Sequence, residues 1–185
     1  MAEREPEPLL LSGRRAPGRP PLGAEGPGGT APESLRLELS ADERTRLRGH
    51  RRSRCGRDLL LQLPRGAALE PGEWLLDGEG RPRVRVEAAA EPLLLVRSDD
   101  PLALQRAAYH LGNRHVALQV AEDGLRLLDD PVLSDLLGQL PGLRLERRLE
   151  PFLPDAGAYG AAPAHHHQQH AHHHDHAAVV PLSPR

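Results

Sequence analysis

Between Leu93 and Phe152 the hydrophobic period of the chain alternates between that of a strand and that of a helix, and the order of this alternation strongly constrains the fold. LLLVRS, from Leu93, reads as a buried strand. DDPLALQRAAYHLG supplies an acidic N-cap, a proline in the first turn, apolar residues at helical spacing (Leu102, Leu104, Ala107, Ala108, Leu111) and a stop at Gly112-Asn113. VALQVAE and GLRLLDD are two strands joined by a turn at Asp123-Gly124, and PVLSDLLGQLPG is a second helix with proline near its start and glycine at its end. LRLERRLEPF is a final strand. The order βαββαβ is the split βαβ arrangement of the ferredoxin-like fold, expected here over residues 93–160.

Upstream, residues 34–92 carry strand signals and turn punctuation with no helix signal. LRLEL alternates apolar and charged residues, and ADERTRLRGHRRSRC could be a strand running into a hairpin. RDLLLQLP is a short buried strand, and EWLLD, the DGEG turn and RPRVRVEAA form a strand, a tight loop and another strand. A small all-β domain is expected, so the fold class is α+β. Residues 1–33 are rich in Pro and Gly and lack aromatic residues and apolar periodicity. They are expected to be disordered, because they bury too little surface to offset chain entropy, and their removal is expected to leave folding and metal binding unchanged. Residues 161–185 read as a disordered His-rich tail.

All 24 basic residues are Arg, and Ile is absent as well, a pattern of GC-rich coding that makes Arg abundance a poor guide to partners. A net charge of −2 argues against a general grip on nucleic acid or membrane. One cysteine, Cys55, excludes an intrachain disulfide and fits a reducing cytosol. No run approaches a membrane span, and Leu9–Leu11 is too short for a signal core, so a cytoplasmic protein is expected.

Eight of the eleven histidines lie in HHHQQHAHHHDH: His165, His166, His167, His170, His172, His173, His174 and His176. Such a run cannot be buried cheaply, and imidazole suits Ni²⁺, Zn²⁺ and Cu²⁺, so the tail reads as metal-binding. The remaining three are His50, His110 and His115, the last just after the Gly112-Asn113 stop, at the start of the next strand. One imidazole cannot hold a divalent ion, but a two-fold axis that sets a second His115 opposite the first makes that residue a workable ligand. His110, near the end of the first helix, reads as a packing or support residue. The seven arginines from Arg44 to Arg57, around His50, lack interleaved aromatics and are flanked by Asp42, Glu43 and Asp58, which fits a solvated strand face better than a nucleic-acid site. With no phosphate loop, nucleophile elbow, paired Cys motif or HExxH, an enzyme is not expected.

AAYHLGNRHVALQV (Ala107–Val120) resembles the most characteristic motif of the urease accessory protein UreE family, the nickel metallochaperones of urease maturation. GRDLLLQLPRGAALEPGEWL (Gly56–Leu75) is similar to that family's N-terminal β-domain, SDDPLALQRAAYHLGNRH to its helix and motif, and EPFLPDAGAYG to its closing strand and turn. The resemblance runs from about Leu35 to Gly160, and a His-rich tail follows at the expected place. It implies a homodimer joined through the C-terminal domains, with nickel between two copies of the motif histidine, which falls on His115. It also implies a β-domain that binds a peptide or partner, and transfer of nickel to the urease apoprotein together with accessory proteins that include a GTPase. Some members carry a His-x-His pair before the second helix. The matching positions here are Asp129-Asp130-Pro131, so auxiliary ligands must come from the tail, or the His115 pair must suffice with water.

Neutral imidazoles and water make exchangeable ligands, as delivery requires, and binding through them weakens in acid. A flexible tail adds weak sites at high effective concentration. The competing readings are a His-rich divalent-metal buffer or storage protein, in which His115 would not matter for delivery, and a peptide-binding module with incidental metal affinity.

Overall fold

The computed structural model describes residues 7–18 and 34–156. Eleven strands and three helices are assigned among them. The chain forms two α+β units, each with its own core.

The first unit contains two sheets. Strands β1 (Leu9–Leu11), β5 (Asp58–Gln62) and β4 (Arg48–Arg52) form one, in the order β1-β5-β4. Strands β2 (Gly13–Arg15), β6 (Trp74–Leu76), β7 (Pro82–Ala88) and β3 (Leu35–Leu39) form the other, in the order β2-β6-β7-β3. Period-two alternation sends Leu37, Leu39, Leu59, Leu61, Val84 and Val86 inward, where they meet Leu11, Leu63, Leu69 and Leu75 in one buried cluster.

Two expectations fail here. Residues 1–33 were expected to be disordered, yet residues 7–18 supply a strand to each sheet. Leu9–Leu11 runs parallel to Leu59–Leu61, and Gly13–Arg15 antiparallel to Trp74–Leu76. Leu11 is wholly buried, and Arg14 closes a two-pronged ion pair on the buried Glu73 (2.9 and 2.5 Å) while also donating to the carbonyls of Ala67 and Ala68. A three-residue strand has no periodicity of its own, but it buries its side chains when partners from distant chain receive it. Removal of the whole segment therefore cannot be neutral. Nor is the domain all-β. Helix α1 (Ala41–Thr45) begins on a capping box, in which Ser40 Oγ accepts from Glu43 N–H and Glu43 Oε2 accepts from Ser40 N–H. The expected strand thus begins only at Arg48.

The second unit follows the order β8 (Ala90–Arg97), α2 (Pro101–Gly112), β9 (Gln119–Ala121), β10 (Gly124–Leu128), α3 (Pro131–Gly138) and β11 (Arg144–Pro151). Its sheet has the order β11-β8-β10-β9, antiparallel throughout. Both helices start on an aspartate cap followed by proline: Asp100 Oδ1 accepts from Leu102 N–H and Asp130 Oδ1 from Leu133 N–H, each at 2.9 Å. Leu94, Val96, Leu125 and Leu127 meet Ala107, Leu111 and Leu137 in the second core. Strand alternation places Leu93 and Leu95 on the opposite face, where they are also buried. Arg97, Arg126 and Arg148 share that face and pair with Asp123, Glu146 and Glu150. Their aliphatic stems can shield the leucines while the charged ends stay wet.

The units touch at α1. The Arg44 guanidinium is buried and donates to the Phe152 carbonyl, while the carboxylate of Glu91 accepts from Ala41 N–H at 2.8 Å. Burial lowers the Arg44 pKa and the negative charge of Glu91 opposes that shift.

Candidate metal-binding site

Helix α2 turns Ala103, Ala107 and Leu111 toward the core, four residues apart on one stripe. Tyr109 lies off that stripe, two-thirds exposed, and its ring meets that of His110 edge-on with centroids 5.7 Å apart. The His110 carbonyl accepts from Arg114 Nη1 at 2.9 Å, so this residue lies within the helix end and helps to hold the following turn.

His115 was expected at the start of the next strand, after a stop at Gly112-Asn113. It lies instead in a turn, and β9 begins only at Gln119. Helix α2 does end at Gly112 with Asn113 as its C-cap, and the bonds that close it come from the two residues after Arg114. His115 N–H donates to the Gly112 carbonyl at 2.9 Å and Val116 N–H to the Leu111 carbonyl at 3.2 Å. This pair of bonds is the Schellman motif, with His115 at the position that glycine usually fills. Its φ of 55° makes it the one non-glycine residue in the left-handed region among those described. The hydrophobic contact typical of the motif is supplied by Leu111 and the half-buried Val116, both in the second core. The imidazole of His115 is consequently lifted off the end of α2 into solvent.

On its far side the His115 turn leads into β9, a three-residue strand at the edge of the sheet. The chain returning from β11 crosses that edge. Asp155 N–H donates to the Leu118 carbonyl at 2.7 Å, Asp155 Oδ2 accepts from Val120 N–H at 2.7 Å, and Leu153 N–H donates to Gln119 Oε1 at 3.0 Å. No local sequence signal points to Asp155, because its partners are more than thirty residues away.

The other candidates are placed apart from His115. His50 is on the edge strand β4 of the first unit, exposed, with its carbonyl accepting from Arg51 Nη1. The tail residues His165, His166, His167, His170, His172, His173, His174 and His176 lie outside the described residues. Asp129, at the position of the absent His-x-His pair, is engaged by Arg147 at 2.9 Å, and Asp130 is occupied in capping α3. Among the described residues, no three His, Cys, Asp or Glu side chains converge as a metal cage. In the Arg-rich stretch, the guanidinium groups of Arg44, Arg46, Arg48, Arg51, Arg52 and Arg57 all bond to partners within the chain, which leaves little for a phosphate backbone. No helix among the described residues is long and apolar enough to cross a membrane.

Two family models match the chain. Residues 21–89 match the UreE urease accessory protein, N-terminal domain, and residues 91–177 match the UreE urease accessory protein, C-terminal domain. The strands β1 and β2 precede the matched span. Three relatives named urease accessory protein UreE are similar over most of their length or nearly so. That of Parasynechococcus marenigrum is 56% identical over 125 residues, 68% of this chain and 83% of the relative. That of Thermosynechococcus vestitus is 48% identical over 69% and 88%, respectively. That of Burkholderia ambifaria is 45% identical over 70% and 63%.

Proposed function

Because the chain belongs to the UreE family of urease accessory proteins, which serve urease maturation and are not enzymes, we propose that it carries Ni²⁺ to the urease apoprotein through a site built on His115. The observation that carries this reading is the backbone of His115. A side chain bearing Cβ in left-handed conformation costs about 1–2 kcal/mol, and strain of this kind is tolerated where geometry serves function. Here it presents an exposed histidine just past the helix end, and no group of three or more His, Cys, Asp or Glu side chains able to hold a metal forms among the described residues.

One imidazole cannot retain a divalent ion. A homodimer in which two His115 turns face across a two-fold axis supplies a second, and water or tail histidines complete the sphere. The Asp129 carboxylate is already paired through one oxygen with Arg147. The sheet order β11-β8-β10-β9 supports reading the C-terminal unit, expected over residues 93–160 and beginning here with β8 at Ala90, as a ferredoxin-like domain. The eight histidines between His165 and His176 act as weak, exchangeable ligands that load the central site. His110 supports the turn without binding metal. The first unit is the partner-binding domain, and delivery proceeds with a GTPase accessory protein in the cytoplasm. Zn²⁺ and Cu²⁺ bind the same imidazoles, as their ligand preference dictates.

The test is calorimetric titration with NiCl₂ of the full-length chain in which the eight tail histidines are replaced by glutamine, paired with sizing chromatography. This protein should retain one tight nickel site per dimer and lose most of the weak capacity of the parent. His115→Ala in that background should remove the tight site and leave the dimer intact, whereas His50→Ala should change neither. A dimeric His115→Ala variant that binds nickel at unaltered affinity would place the metal elsewhere.

A further inference from the structure

The turn that presents His115 is held at its two ends by different means. At the helix end the two Schellman bonds fix it. At the strand end it depends on β9, which is three residues long and pairs with β10 on one side only. Such a strand would fray if its outer edge were left to water. The residues after β11 cover that edge as a strap. Phe152 anchors the near end, since its side chain is buried and its carbonyl receives the Arg44 guanidinium from α1. Asp155 anchors the far end through both its N–H and its carboxylate, which take the outward carbonyl of Leu118 and the outward N–H of Val120.

We propose that Asp155 is a positioning residue for the metal-binding histidine: by clamping β9 at Leu118 and Val120 it holds the 113–118 turn in the form that keeps His115 left-handed. This rests on His115 as the nickel ligand. A strained backbone persists only where its surroundings over-determine it, and a metal ligand must be held to within a fraction of an ångström to bind well. The second core grips the turn through Val116 and Leu118, which are only half-buried, so the strap supplies much of the remaining restraint. The carboxylate oxygen is the essential element, because the bond from Asp155 N–H survives any side-chain change other than proline.

The experiment uses the full-length chain with the eight tail histidines replaced by glutamine, comparing Asp155, Asp155→Ala and Asp155→Asn. Asparagine keeps a side-chain oxygen for Val120 N–H and should rescue what alanine loses. In metal-free protein, amide exchange at Val116–Val120 should accelerate at least tenfold in Asp155→Ala, with little change in Asp155→Asn. NiCl₂ titration should show an affinity about tenfold weaker in Asp155→Ala, and within about twofold of the parent in Asp155→Asn. Unchanged exchange in Asp155→Ala overturns the proposal, as does faster exchange with nickel affinity intact or an equal loss of affinity in both variants. If no tight site exists even with Asp155 in place, it is the assignment of nickel to His115 that has failed.

Discussion

Replacing His115 by glycine separates the chemistry of the side chain from its conformation. At a φ of 55°, a residue with Cβ gives up about 1–2 kcal/mol, and histidine, which visits this region more readily than most residues, belongs near the lower figure. Glycine removes that penalty but loosens the unfolded chain, an offset of about 0.4–1 kcal/mol. The imidazole is exposed, so its loss forfeits little buried surface. His115→Gly should therefore match the parent or exceed it by about 0.5 kcal/mol. His115→Ala keeps the strain and should fall within about 0.5 kcal/mol of the parent, as surface substitutions usually do. His115→Val places a β-branched residue in the left-handed region and should lose about 1–3 kcal/mol. Urea denaturation of metal-free protein, followed by circular dichroism at constant m-value, resolves this ranking. A spread of about 2 kcal/mol would move the thermal midpoint by about 4–8 °C in a chain of this size. All three variants should lose the tight nickel site. A glycine variant less stable than the alanine variant by about 1 kcal/mol, the usual behaviour of glycine in ordinary backbone, would refute the left-handed turn.

Leu11→Ala should destabilise the first unit by about 2–5 kcal/mol in denaturant titrations, since it empties a fully buried leucine site; a loss below about 1 kcal/mol would mean that β1 does not dock. Ser40→Ala removes half of the capping box and should cost about 1 kcal/mol by the same measurement, whereas Ser40→Asp should retain most of the stability. The Asp123 carboxyl is held far below the usual carboxylate range by hydrogen bonds from Arg126 and Arg97. Because its folded value is depressed, its contribution is complete above the unfolded value of about 3.9 and is lost as pH falls below it. The stability gap between parent and Asp123→Asn should thus narrow between pH 7 and pH 2, and a gap that widens in acid would contradict the pairing.

The element order from Ala90 to Pro151 was legible because its signals are local. Each long helix announces itself by an aspartate cap, a proline and a run of apolar residues, and its strands are bounded by turn residues. The misreadings share a physical cause. Leu9–Leu11 and Gly13–Arg15 become strands only because β5 and β6 accept them, a non-local event that leaves no mark in a Pro/Gly-rich stretch. Helix α1 is one short turn, and its one signal was Ser40 followed by Glu43, the capping-box spacing. At the site, the residue type and number of His115 were legible from the motif, but its conformation was not. The helix ends at Gly112-Asn113 as expected, but the left-handed position that closes it falls on the histidine rather than on a glycine. Asp155 was invisible for the same reason as β1, since its bonds reach Leu118 and Val120 across more than thirty residues.

The pairing of β1 and β2 also bears on the order in which the chain is assembled. Leu9 lies opposite Leu59, and Arg15 opposite Trp74. Closing a loop of about fifty residues costs about 3.5 kcal/mol in chain entropy by the logarithmic law, before any contact compensates. At synthesis rates of about 5–20 residues per second, the partners follow some 3–12 s later. Through that interval Leu9–Leu11 is an apolar segment with no sheet to enter, open to pairing with a neighbouring nascent chain or to capture by a holdase. Among the described strands, the two that leave the ribosome earliest are in this way among the later ones to be seated.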